Sequence, residues 1–459
     1  MTFDDTKNAT HTHGILGDVT ASGGNGGSGA TSGQIGGMAL GAVTLTGIGP
    51  IQAQVIGSTG GQGGSALVDG DGARGGFASA TATATSTAAA TTDSVSAIAS
   101  ALGGTGGDGI GVGHSGGAGG AAQATARAVS PSATTTTEAS VTEIGGAGGN
   151  GSDGANGGAG ASIALGSAAS GISNGGRLTL SETATGGDGG FSYGGNGGAA
   201  GYGYAALVVD DTASATQSAA ITGSVTANGG AGGASYAGTA GHGGAGGAAT
   251  ALSFVTGSNV VTANATAVGG AGGASSGGAA GSAGNATARS SAAGSNVASH
   301  ASATSGASAD SAGVALATAI GDGTSGSADA HAATGQVQAA HDTSMTADAS
   351  ADVSGMTSVT ARALMLASSP GFITDSQAVA VGTALPNAGS VSGLLGANPT
   401  ISAAFGATPT TLASEELGGG YSSSGSGSEV SHSTVELIAT LDSQDLLQHL
   451  QIGLFNGQS

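Results

Sequence analysis

The stretch that decides the fold is Gly103-Gly-Thr-Gly-Gly107, which is followed by a second block, Gly116-Gly-Ala-Gly-Gly120. The first block belongs to a GGxGG pattern whose starts are 37, 43, 42, 41, 43 and 40 residues apart: Gly23, Gly60, Gly103, Gly145, Gly186, Gly229 and Gly269. A near-constant period with one supersecondary unit per repeat is typical of arrays in which neighbouring units bury one another's faces. The sequence therefore predicts an elongated repeat protein.

The glycine blocks predict arms that run out and back, because several repeats carry two such blocks in succession. Their internal period of three matches an extended left-handed helix with three residues per turn, in which every third residue falls on one edge. The other two edges are then bare backbone, whose N–H and C=O groups need partners. Ordering glycine costs more entropy than ordering any other residue. We therefore expect the arms to be ordered only where many of them pack side by side, and the alternative is that they are flexible linkers.

Between the arms lie segments with the two-residue alternation of half-buried strands. In the segment from Phe77 to Thr85 every second residue is Ala, and Ser or Thr occupies the positions between. Turns are expected between the strands of four other repeats: Gly47 to Pro50, Ser130 to Ser132, Ser173 to Gly176 and Gly257 to Asn259. The predicted fold class is thus all-β, a solenoid-like array or a stack of short hairpins with glycine-rich arms.

Composition shifts divide the chain into four predicted regions. Residues 1–22 form a polar lead-in, residues 23–285 hold seven repeats of about 41 residues, and residues 286–362 hold degenerate repeats rich in Ala, Ser and Thr. Residues 363–459 are richer in Leu, Val, Ile, Phe and Pro and predict a β-rich C-terminal module. The turn-forming pair Asn456-Gly457 leads us to expect a fragment of a longer chain. The lead-in lacks the apolar stretch of a secretory signal.

The charge balance excludes several classes of partner. Six basic residues stand against 27 acidic ones, which gives a formal net charge of −21. Phosphate backbones attract the opposite charge, so nucleic acid is excluded. The basic residues are scattered singly and offer no patch for an anionic membrane, and no apolar run is long enough for a membrane helix. The chain has no Cys, hence no disulfides and no thiolate metal ligands.

We expect no enzymatic activity and no cofactor. Five Tyr, seven Phe and no Trp leave few large side chains to wall a pocket. The GxSxG pattern occurs three times, beginning at Gly113, Gly171 and Gly273, but a chain with 97 Gly produces such matches by chance. A nucleophile elbow also requires a helix after the strand, and no helical periodicity flanks these positions.

Three kinds of ligand-binding surface are weighed as alternatives: calcium, ice and sugar. A calcium-type GGxGxDxUx stretch occurs once, at Gly103 to Gly111, and makes Asp108 the candidate metal ligand, with Asn150 alone at the same offset in its repeat. Thr81, Thr83 and Thr85 could begin an ice-binding array, but counting from the repeat starts pairs Thr81 with Ala124, so we expect the register to fail. Four Tyr near the arms could stack on sugars, although we expect them to fill gaps between repeats: Tyr193, Tyr202, Tyr204 and Tyr236.

The GGAGG-type blocks at Gly145, Gly229, Gly243 and Gly269 resemble the glycine-rich repeat regions of large bacterial surface and secreted proteins, including the mycobacterial PGRS type. The stretch from Ser369 to Pro386 is similar to a segment of giant glycine-rich repeat proteins of proteobacteria. The resemblance implies a structural role at the cell surface or outside the cell. We accordingly expect a non-catalytic spacer or adhesin stalk with a cell-surface or matrix partner, or with self-association, the alternative being a ligand-binding repeat surface.

Overall fold

The computed structural model describes residues 1–11, 14–88, 94–236, 240–309 and 311–335, and the backbone of five later strands between residues 344 and 439. Within this described part, regular structure consists of strands and one short 3-10 helix, Asp5–Lys7. The predicted all-β repeat array is therefore confirmed.

The strands are numbered in chain order. The first fourteen are β1 (Thr2–Asp4), β2 (Ile15–Val19), β3 (Ala39–Gly47), β4 (Ile51–Thr59), β5 (Ala78–Ser86), β6 (Val95–Leu102), β7 (Gly109–Ile110), β8 (Ala122–Ser130), β9 (Thr136–Ile144), β10 (Gly151–Ser152), β11 (Ile163–Gly166), β12 (Ala169–Ser173), β13 (Arg177–Thr185) and β14 (Ser192–Tyr193). The remainder are β15 (Gly203–Asp210), β16 (Ala220–Asn228), β17 (Ser235–Tyr236), β18 (Ala249–Thr256), β19 (Val260–Val268), β20 (Ala286–Ala293), β21 (Asn296–Thr304), β22 (Ala315–Asp322), β23 (Ser325–Ala333), β24 (Ser344–Ser354), β25 (Ser358–Ala367), β26 (Ile373–Gly382), β27 (Ser414–Tyr421) and β28 (Val430–Ala439).

The named strands pair only in parallel, in four sheets. An eleven-stranded sheet has the order β2-β4-β6-β9-β13-β16-β19-β21-β23-β25-β27. Opposite it stand a five-stranded sheet, β1-β3-β5-β8-β12, and an eight-stranded sheet, β11-β15-β18-β20-β22-β24-β26-β28. A four-stranded tip sheet, β17-β14-β10-β7, joins the ends of the arms. One coil of the solenoid thus contains a strand of the five- or eight-stranded sheet, a turn, a strand of the eleven-stranded sheet, and an arm that runs out and back.

Strand alternation places small apolar side chains between the sheets, as the sequence predicts. In β5 the Ala side chains at 78, 80, 82 and 84 are buried, whereas Thr81 is exposed on the outer face. One continuous core runs between the facing sheets and consists mostly of Ala and Val, with few larger residues such as Leu45, Ile51 and Leu207. Each buried methylene-sized group contributes only about 0.8 kcal/mol. Stability must therefore accumulate over many coils.

The arms form a two-layer bundle held by backbone hydrogen bonds. Outgoing and returning arms alternate in one ladder: Gly76 N donates to Gly61 O (2.7 Å), Gly104 N to Gly76 O (2.9 Å) and Gly120 N to Gly104 O (2.7 Å). A second set joins successive arms of the same layer, as in the 2.9 Å bond from Gly106 N to Ala147 O. In the Gly-Gly-x triplets of the interior arms, such as Gly103-Gly104-Thr105, two N–H groups thus point into the bundle and the third points outward. This is the arrangement expected for packed helices with three residues per turn.

The close approach of the arms requires glycine at interior positions. A Cβ added to Gly106 would lie 1.9 Å from the carbonyl oxygen of Gly117, and one added to Gly107 would lie 2.0 Å from that of Gly64. The first arm has a neighbour on one side only: a Cβ on Gly26 would lie 1.9 Å from Gln34 O, whereas a Cβ on Gly27 would meet nothing within 4 Å. Glycine is therefore needed wherever an arm faces the position, and the need is absent on the open side of the first arm.

The last strands extend the two long sheets. Strand β25, which contains the predicted boundary at residue 363, pairs with β23 and β27, and β26 pairs with β24 and β28. These strands follow the coil order of the earlier repeats. The division of the chain into four regions stays a prediction.

Candidate functional surfaces and buried carboxylates

Asp108, the candidate metal ligand, accepts a hydrogen bond from the next coil. Its Oδ1 accepts from the backbone N–H of Asn150 (2.8 Å), and its own N–H donates to Ser65 Oγ (2.9 Å). Asn150 repeats the arrangement, because its Oδ1 accepts from the N–H of Phe191 (3.3 Å). The shared offset of Asp108 and Asn150 does bring them together. The contact satisfies the outward N–H that the glycine bundle leaves without a backbone partner.

The returning arms show the same side-chain ladder. Asp71 Oδ1 accepts from Ser115 N, Asn156 Oδ1 from Asn196 N, and Asn196 Oδ1 from His242 N, each at 2.8 Å. Within the described residues no group of three or more His, Asp or Glu is placed to hold a metal ion. A calcium-ligand role for Asp108 stays a prediction. In the structure its carboxylate, like the carboxylate or amide oxygens of its counterparts, accepts a hydrogen bond that joins one coil to the next.

The serines of the GxSxG patterns occupy structural positions. Ser115 lies at an arm tip, Ser173 is buried at the end of β12, and Ser275 Oγ donates to Gly241 O (2.6 Å). His114 lies between Asp69 and Asp71, with nitrogen–oxygen distances of 3.6 and 3.4 Å, and the three side chains are solvent-accessible. None of these serines sits between a strand and a helix, which is the setting a nucleophile elbow requires.

The expectation that the four Tyr fill gaps between repeats is wrong. Tyr193, Tyr202 and Tyr236 are each 45 to 50% exposed, and Tyr204 is 36% exposed. Interior positions of the arms admit only glycine-sized residues, so a large ring must lie outside. Phe191, Tyr193 and Tyr236 form a surface cluster at the tip sheet, with ring centroids 5.5 to 6.4 Å apart.

The register expected from the repeat starts is also wrong. Thr81 pairs with Thr125 of β8, not with Ala124, and Thr83 pairs with Arg127. The count from a repeat start runs through the arms, whose lengths differ between coils. In the eleven-stranded sheet the distance from a strand position to the next GGxGG start is constant. Four residues each lie seven residues before such a start: Glu138, Thr179, Thr222 and Thr262. These four residues are register partners.

One coil contains a fault in the stacking of its first strand. Ser167, with φ of 45°, divides this strand into β11, which pairs forward with β15, and β12, which pairs backward with β8. The first residues of β8 therefore have no strand partner on that side. The sequence did not lead us to predict this break, although Gly166 lies directly before Ser167 and glycine within a strand is typical of a bulge or bend.

Two buried glutamates from the opposite sheet occupy the fault. Glu143 Oε1 accepts from Ala124 N (2.6 Å), and Glu182 Oε1 accepts from Ala169 N (2.9 Å). Glu143 is 4% exposed and Glu182 is 0% exposed. Burial is the main cause that raises the pKa of each carboxyl to about 7, and at Glu143 the charge of Glu182 contributes to the increase. The pair replaces backbone hydrogen bonds lost at the fault and titrates near neutral pH.

No known protein family, no curated protein and no solved structure gives a significant match to the chain. No helix among the described residues is long and apolar enough to cross a membrane.

Proposed function

We propose that the chain is a stiff, non-catalytic spacer at the cell surface or outside the cell. The observation that carries the proposal is the continuous lateral hydrogen bonding of the arms, which adds a second system of bonds to the sheet ladders. Bending such a coil stack must strain the sheets and the arm bundle together. A chain built only to tolerate extension would not need this second system.

Register between coils supports the same role. Partners are in continuous register from β13 through β16 and β19 to β21. Each coil adds about 4.8 Å, the distance between paired strands, to the length of the array. The length of the array is therefore proportional to the number of coils, as a spacer between two surfaces requires. Recognition of a cell-surface or matrix partner would then belong to another part of the protein.

Deletion of whole coils tests the proposal. Removing Gly186 to Asn228 takes out one coil and lets β13 pair with β19. Removing Gly186 to Val268 takes out two coils. Solution scattering should show the long dimension falling by about 5 and about 10 Å, with cooperative unfolding retained. A compact particle, or loss of the fold in both deletions, would contradict the spacer role.

A control deletion separates arms from coils. Removing Gly186 to Gly201 takes out one pair of arms and keeps the strands on either side. Because the number of stacked strands is unchanged, the long dimension should stay constant while the unfolding temperature falls. Equal shortening in the control would show that scattering reports disorder and not coil number.

A further inference from the structure

Three consecutive strands of the eleven-stranded sheet carry one outward pattern. Strands β13, β16 and β19 alternate a buried residue with an outward, partly exposed one, and the central outward positions are almost all hydroxyl-bearing. This hydroxyl face consists of Thr179, Ser181, Thr183, Thr222, Ser224, Thr226, Thr262, Asn264 and Thr266. Eight of these nine side chains end in a hydroxyl.

Strand pairing aligns these residues in columns. Thr179, Thr222 and Thr262 are register partners, and so are Thr183, Thr226 and Thr266. The last column continues on both sides, to Thr142 and Ser302. Neighbours within a column are about 4.8 Å apart, the strand separation. Water molecules bonded at about 2.8 Å in a tetrahedral network have second neighbours about 4.5 Å apart. A hydroxyl column therefore repeats nearly as the oxygen atoms of ice do.

The hydroxyl face has the chemistry of a neutral, non-aromatic surface. None of its nine residues is charged, although the chain carries a net charge of −21. Glu138 and Arg177 border it on β9 and β13, and Arg177 Nη2 reaches Thr222 Oγ1 at 3.5 Å. Asn264 donates to Ser224 Oγ (3.1 Å). The charges of Glu138 and Arg177 therefore lie at its border, and the nine residues themselves offer no charge to an ionic partner and no ring on which a sugar could stack.

The pattern is specific to this face of the coils. The outer face of the eight-stranded sheet at the same coils is mixed, with exposed Tyr204 and Val208, and with Arg289 stacked 5.5 Å from the ring centre of Phe254. A general preference of Thr for strands would fill both outer faces alike. The uniformity of the hydroxyl face therefore needs a reason beyond strand formation.

We propose that the hydroxyl face binds ice. Both long edges of β16 are paired, and the neighbouring strands are paired in turn, so the array is fixed before it meets a crystal. A pre-organised surface loses little conformational entropy on binding. Many weak hydrogen bonds in register with a lattice can then act together. The proposal does not depend on the spacer role, because the face would be present whether or not the array serves for reach.

The test compares a charge on the middle strand of the hydroxyl face with a charge on the other outer face. Thr222→Lys places an ammonium on β16, and Thr250→Lys places one on β18 of the eight-stranded sheet as the matched control. The readouts are thermal hysteresis, inhibition of ice recrystallisation and incorporation of labelled protein into a growing ice surface. Circular dichroism melts confirm that both variants fold. Thr222→Val, which keeps the shape and removes one hydroxyl, covers the case in which lysine disturbs the sheet.

We expect the unmodified chain to be active in all three assays. Thr222→Lys should lose about tenfold or more at equal concentration, because a charge at a dehydrated contact is costly. Thr222→Val should show a smaller loss, and Thr250→Lys should match the unmodified chain. The proposal is overturned if the unmodified chain has no effect on ice, if the two lysine variants are equally active or equally impaired, or if the chain binds insoluble polysaccharide but not ice.

Discussion

Replacing glycine by alanine at the same motif position in two arms should give opposite effects on stability. Gly27 and Gly107 are each the fifth residue of a GGxGG block. At Gly107 the new Cβ would lie 2.0 Å from Gly64 O, whereas at Gly27 it would meet nothing within 4 Å. Because real Cβ contacts are not found below 3.0 Å, the arms flanking Gly107 must move apart.

The cost follows from the bonds that hold these two arms together. Separation stretches the bonds from Gly63 N to Thr105 O (2.8 Å) and from Ala66 N to Asp108 O (2.9 Å). Two backbone bonds at about 1 kcal/mol each and an overpacking cost of about 1 to 3 kcal/mol give a loss of roughly 3 to 5 kcal/mol. Gly27→Ala should instead stabilise by about 0.4 to 1 kcal/mol, because alanine restricts the unfolded chain.

Urea unfolding followed by circular dichroism measures both variants against the unmodified chain. The predicted sign differs between them, so a general effect of alanine cannot imitate the result. Equal free energies of unfolding for Gly107→Ala and Gly27→Ala would refute the packing argument and favour the linker interpretation of the arms.

The remaining predictions concern the carboxylates. The pKa values of Glu143 and Glu182 in the folded chain, about 7, lie above those in the unfolded chain. The two carboxyls therefore contribute their full stabilisation below the unfolded pKa, and the free energy of unfolding decreases as pH rises through 7. The decrease amounts to at most about 3 kcal/mol per carboxyl. Glu182→Gln should weaken this dependence and be more stable than the unmodified chain at pH 8, and a variant whose melting curve depends on pH as before would contradict the assignment. Asp108→Ala should destabilise by about 1 kcal/mol by leaving the N–H of Asn150 without its acceptor, whereas Asp108→Asn should cost less. Calcium should leave the melting temperature unchanged, and a calcium-dependent rise that Asp108→Asn abolishes would restore the metal-ligand role.

Local patterns sufficed for the strands and the arms. In β5 the alternation of Ala with Ser or Thr fixes which face is buried, because side chains of a strand point to opposite sides in turn. The period of three in Gly103 to Gly107 predicts backbone-only edges, and the structure pairs those edges as expected. Both inferences depend only on residues close together in the sequence.

Long-range register was beyond the same reasoning. Thr81 pairs with Thr125 and not with Ala124 because the arms that precede β5 and β8 differ in length, so counting forward from a repeat start misplaces the strand that follows. The backward count from each glycine block would have found the columns of Thr179, Thr222 and Thr262. The buried carboxyl of Glu182 could also have been predicted, because Glu182 occupies a position in the inward-facing series of β13 that contains Leu178 and Leu180. At the break the only local signal is Gly166, and glycine is too common in this chain to identify one position by itself.

Amide hydrogen exchange along the arms tests the central claim most directly. If lateral hydrogen bonds order the glycine-rich arms, the N–H groups of Gly104, Gly107 and Gly117 should be protected to nearly the same extent as those of β5 and β8. The outward N–H of Thr105, which has no backbone hydrogen bond in the structure, should exchange faster than its neighbours in the same arm. Exchange of the three glycine amides at the rate of an unstructured chain, with the strands still protected, would contradict a spacer stiffened by its arms.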